Sequence, residues 1–264
     1  MMRSVFLKSL RDQTAAMLGW GLILASLSAF TLLFFPAMAD QTKAYDELLK
    51  SMPEITSFLG NVTTMGTVEG FVTYGLLSYL PLVLSIYVLM AAVRTITGEI
   101  DTGTMDFLLS HPIPRWRATA EKAAALVVAV VVICGLFGIG LWIGGLAIRS
   151  DISGGQWLLA GLNVAPLTLF FGSLTFAVAC ATRGSSAAYG VAGTVVIVSF
   201  VANGLVPLIK SLAPYREWTI YYLFAASKPL STGVIWGHVA ILLAASLVLL
   251  AAGIAAFQRR DILA

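Results

Sequence analysis

Apolar and polar positions in this chain are segregated into long blocks. Uncharged, strongly hydrophobic runs cover residues 14–39, 70–93, 123–148, 157–182, 184–209 and 234–257, and the intervening segments carry the charge. At about 1.5 Å of rise per helical residue, about 20 apolar residues cross the hydrocarbon layer of a bilayer, and every run is long enough. None shows the two-residue alternation of a barrel strand, and hydrocarbon offers the backbone no water, so the runs predict helices. The expected fold is all-α: a polytopic membrane protein with one transmembrane domain over residues 1–264 and six transmembrane helices.

The polar segments predict smaller elements. Residues 1–13 set Val5, Phe6 and Leu10 against Lys8, Arg11 and Asp12, the pattern of an interfacial helix ahead of the first span. Residues 40–69 space Tyr45, Leu48, Leu49, Ile55, Phe58 and Leu59 as one greasy helical face would, which predicts an outer loop or surface helix. Residues 211–233 mix charges with an aromatic cluster, as in the headgroup belt, and are expected as an outer interfacial segment. Residues 94–122 form the main inner loop.

Composition agrees with a membrane protein. Of the 264 residues 59% are hydrophobic and 11% charged, against roughly 25% charged in a soluble domain. The net charge of +3 comes with no basic run or stripe, so nucleic acid is not an expected partner; membrane lipid is. Cys134 and Cys180 lie inside apolar runs without a CxxC pair, and read as buried small residues. With the N-terminus inside, the inner side carries ten of the sixteen Lys and Arg residues, Lys122 among them, and the outer side six. This predicts cytoplasmic termini.

The runs also constrain chemistry. No ionisable group lies near the centre of any of them; Glu69 and His238 fall toward outer ends, Arg94 and Arg183 toward inner ends, where snorkelling removes most of the insertion cost. Ion-driven transport through buried charges is therefore disfavoured. The sequence has no GxxxxGK[ST], so no P-loop of its own. An intramembrane enzyme acting on lipid would need a convergent catalytic set, and His111 and His238 fall on opposite sides of the bilayer. That reading, and a non-transporting scaffold or sensor subunit, stand as alternatives to a transporter powered by a partner. Small residues such as Gly140 and Gly144 in the third run, and Ala187 and Gly190 in the fifth, allow close helix contact within the chain or with a second copy.

The inner loop is the most informative segment. Thr102 or Thr104 caps a short helix, Asp106 complements its dipole, and Pro112 stops it after about two turns. This helix would carry Met105, Phe107, Leu108 and Leu109, apolar side chains that need a surface to dock on. Glu99, Gly103, Thr104, Leu108, Leu109, Ser110, Pro112, Arg115 and Lys122, with Phe257, Arg259, Arg260 and Asp261 at the tail, stand where they do in ABC-2 type permeases. The chain thus resembles the permease subunits of ABC-2 type, or type V, ABC exporters. The topology covers the whole chain and the motif about thirty residues.

The resemblance implies that the inner loop is a cytoplasmic coupling helix seated in a separate ATPase subunit. Its contact residues would be Glu99, Gly103, Thr104, Met105, Asp106, Phe107, Leu108, Leu109 and Arg115. It further implies two ATPase copies holding Mg-ATP, a second permease copy identical or homologous to this one, no cofactor in this chain, and a prokaryotic plasma membrane. Polar groups on otherwise apolar runs, namely Ser78, Tyr79, Asn163, Ser173, Thr175, Thr194, Ser199 and Asn203, are candidates either for a translocation path or for helix-to-helix hydrogen bonds.

Overall fold

The computed structural model describes residues 5–51, 66–98, 114–182, 184–206, 209, 211 and 213–259. Six helical stretches in them are long and apolar enough to cross a membrane: Val5–Met38, Val68–Gly98, Arg115–Ala147, Gly154–Ala181, Ser185–Leu205 and Trp236–Arg259. The protein is a polytopic all-α membrane protein.

Helix α1 (Val5–Ser51) runs unbroken through the segment expected as a separate interfacial helix. Nothing between residues 8 and 18 breaks a helix, and the buried positions Val5, Ser9, Met17, Gly21, Leu24, Ser28 and Leu32 form one stripe that passes residue 13 without a shift. The stripe packs along α4 (Arg115–Ala147), the third span. Glycines make that contact close. A Cβ on Gly140 would collide with the Ala25 backbone and the Ser28 hydroxyl, and one on Gly144 would fall 2.9 Å from Leu32 Cβ and 3.0 Å from Ala29 Cα.

The second span is assembled from α2 (Val68–Val72), a π-helical turn (Thr73–Leu77), α3 (Leu80–Val93) and a second π turn (Arg94–Gly98). Pro81 explains the first irregularity. It has no N–H to give the carbonyl four residues back, and its ring crowds that carbonyl, so the chain widens ahead of it and Ser78 N–H reaches back to Thr73 O at 2.9 Å.

Pro166 acts in the same way in the fourth span, which breaks at Asn163 and Val164 into α5 (Gly154–Leu162) and α6 (Ala165–Ala181). Helix α5 opens with a capping box. Ser153 Oγ accepts from Gln156 N–H at 3.3 Å, and Gln156 Oε1 accepts from Ser153 N–H at 3.1 Å.

Helix α7 (Ser185–Leu205) is the fifth span and α9 (Trp236–Arg259) the sixth. Between them lie a 3-10 turn (Ala213–Trp218), the short α8 (Ile220–Ala225) and a tight turn closed by paired hydrogen bonds between Lys228 and Gly233. Helix α6 is the most enclosed element, packed by α3, α7 and α9, while α1, α7 and α9 present long apolar faces outward.

Candidate functional site

The residues expected to meet an ATPase, Glu99 to Leu109, lie outside the described residues. Both roots of their segment are described, and they are firmly built. On the second span, the π turn Arg94–Gly98 buries Thr95, Ile96 and Thr97. Thr95 Oγ1 donates to Ala91 O at 2.6 Å and Thr97 Oγ1 to Val93 O at 2.9 Å. On the third span, Pro114 holds the extended cap conformation and Arg115, half-buried, is the first helical residue; its carbonyl accepts from Thr119 Oγ1 at 2.8 Å.

Two adjacent residues of α4 tie these roots to the rest of the bundle. Glu121 Oε2 accepts from the Phe6 backbone N–H at 2.9 Å, and its other oxygen accepts from Arg117 Nε at 3.0 Å. The first turn of α1 contains no acidic residue, so the carboxylate that satisfies one of its open N–H groups and complements its dipole comes from a neighbouring helix. Lys122 points elsewhere, donating from Nζ to Thr95 O at 2.9 Å.

Lys122 corrects an expectation. The charge pattern counts it among the inner-side basic residues, at the end of the 94–122 loop, yet only 1% of its surface is exposed. The reason is that the third helix starts at Arg115, eight residues before the apolar run at 123, which sets Lys122 two turns inside it on the same face as Ala118 and Leu126. A desolvated ammonium costs several kcal/mol unless it is held by acceptors, and the Thr95 carbonyl is one of the groups that hold it.

At the opposite end of the bundle, aromatic rings gather around the break in the second span. Tyr221 Oη donates to Ser78 O at 2.6 Å. Its ring stands edge-on to Phe200 at 5.3 Å, and Phe200 lies 6.2 Å from Tyr79, which is 37% exposed. Burial first, then the neighbouring Tyr79, push the Tyr221 phenol up, so it keeps the proton it donates. Arg216 lies over the Tyr222 ring, which in turn meets His238 at 6.0 Å. The segment expected in the headgroup belt is thus seated on the spans through buried Tyr221 and Phe224.

The polar residues weighed for a path fall in different places. Ser78 and Tyr79 join the aromatic cluster, and on α7 Ser199 and Asn203 are buried, the Asn203 Oδ1 without a partner. Asn163 is buried at the break in the fourth span. Ser173 and Thr175 are buried on α6, where Thr175 Oγ1 donates to Phe171 O at 2.7 Å. Thr194 faces outward.

Glu121 and Tyr221 are the site residues that the sequence reasoning passed over. For Glu121 a signal was present: Arg117 stands four residues ahead of it, an ion-pair spacing available only on a helix. For Tyr221 the sequence gives no sign of its partner 143 residues away.

A comparison with curated proteins found no match. The family model for the ABC-2 family transporter protein matches residues 4–262, from just ahead of α1 to beyond the last span. With the match covering nearly the whole chain, including both roots of the 99–113 segment, the protein belongs to the ABC-2 transporter family.

Proposed function

We propose that this chain is the permease subunit of an ATP-driven exporter. It forms the translocation path in a prokaryotic plasma membrane with both termini cytoplasmic, and takes its energy from a separate ATPase subunit docked on residues 99–115. The observation that carries the reading is the construction at the roots of that segment. A stretch holding Met105, Phe107, Leu108 and Leu109 is strung between a buried π turn and a helix start fastened to two other spans. Phe107, Leu108 and Leu109 are the apolar anchors of the contact, and Glu99, Asp106 and Arg115 its polar rim.

The working unit is two permease copies with two ATPases. Support comes from α7, whose outward face carries Ala187, Gly190, Val191, Thr194 and Val198. A Cβ at Gly190 or Gly193 would meet nothing within 4 Å, whereas those at Gly140 and Gly144 would collide inside the chain. The fifth-span glycines are therefore free to seat a second copy.

The test is reconstitution in proteoliposomes of this chain with the ATPase that co-purifies with it. Vanadate-sensitive hydrolysis that depends on both subunits is expected. Hydrolysis indifferent to this chain would remove the reading.

A further inference from the structure

We propose that Glu121 and Lys122 form a two-pronged clasp that carries movement of the 99–113 segment into the first and second spans together. The inference rests on the proposed function, which makes that segment the ATPase contact. The two residues are consecutive on α4, so their side chains leave the helix about 100° apart. One prong reaches the start of α1 at Phe6 N–H and the other the end of the second span at Thr95 O, each at 2.9 Å.

The second prong matters because of how the spans are grouped. The third span packs chiefly on the first, the second chiefly on the fourth, and direct contact between second and third is slight. The 99–113 segment joins those two weakly touching spans. A push on it would splay its roots unless something fixed them to each other, and the buried ammonium on the Thr95 carbonyl does so. That carbonyl belongs to the buried π turn that ends the second span, so the link sits at the root of the 99–113 segment itself. The first prong needs its carboxylate held in place, and Arg117 Nε does this at 3.0 Å. Glu121 and Lys122 are accordingly positioning residues that touch no cargo.

The test uses the full-length chain in lipid nanodiscs with Cys134 and Cys180 replaced by Ala. Spin labels at Gly98→Cys and Trp116→Cys report the separation of the roots, and a label at Leu7→Cys reports the start of α1. Lys122→Met is expected to at least double the width of the distance distribution between positions 98 and 116, Lys122→Arg to restore it, and Glu121→Met to mobilise only the label at 7. Unchanged widths in Lys122→Met, or equal loosening at all positions in both variants, would overturn the clasp. If Met at 122 blocks insertion, Lys122→Gln is measured instead, with the same two outcomes.

In the complex with the ATPase, a vanadate-trapped shift between labels at Arg149→Cys and Trp218→Cys should be lost in Lys122→Met while the ATPase stays bound. A shift that survives would contradict the clasp. Failure of any ATPase to bind the unsubstituted chain would instead count against the proposed function, leaving the clasp to the nanodisc measurement.

Discussion

Lys122 and Thr95 meet across the second and third spans, ammonium to backbone carbonyl at 2.9 Å, with the lysine buried almost entirely inside the protein. The same turn of α4 sends Glu121 to the first span. One end of the bundle is therefore organised by two charged residues at the point where the 99–113 segment joins, and the opposite end by the aromatic cluster around Tyr221.

The contact between the first and third spans depends on Gly140 and Gly144. Gly140→Ala is expected to lower stability by about 1–3 kcal/mol, because the added methyl would strike backbone on α1, which cannot move aside cheaply. Gly190→Ala, facing open space within the single chain, should raise the stability of the monomer by about 0.5–1 kcal/mol through the lost chain freedom of glycine. Thermal unfolding of both variants in one detergent, followed by tryptophan fluorescence, checks the contrast; equal effects would contradict it.

Tyr221→Phe keeps the ring against Phe200 and removes only the donor to Ser78 O. The orphaned carbonyl should cost about 1–3 kcal/mol. Hydrogen exchange is expected to rise over residues 73–84, where the second span is already irregular, and to stay unchanged in α4. Because the phenol is held above its ordinary range, the link should persist through neutral and mildly alkaline pH.

Arg149 closes the third span in a left-handed conformation, φ 54°, a position that favours glycine. Ser150 N–H reaches Gly145 O at 2.9 Å around it. Arg149→Gly is expected to stabilise the protein by about 0.5–1 kcal/mol, the relief of strain outweighing the added freedom of the unfolded chain. A lower midpoint in the same unfolding assay would refute this.

The six spans were legible because uncharged runs of about 20 residues have no other use in water-starved surroundings. Their true ends were not. Hydrophobicity marks where lipid begins, while helices continue as long as the backbone is satisfied, so α1 and α4 extend well past their apolar runs and carry Lys122 into the interior. Pro81 and Pro166 were visible in the sequence, yet a π turn and a helix break are alternative responses to the same missing N–H, chosen by packing.

Gly140 and Gly190 look alike in sequence; only the neighbouring helix tells which is already filled. The polar candidates show the same limit. Thr175 satisfies its hydroxyl on its own helix, so a polar residue in an apolar run carries no mark of what it faces.

Affinity co-purification from membranes tests most directly the docking of residues 99–115 on a separate ATPase. Leu108→Asp with Leu109→Asp should leave the permease inserted at normal abundance and reduce the ATPase recovered with it at least tenfold. Recovery equal to that of the unsubstituted chain would contradict the account.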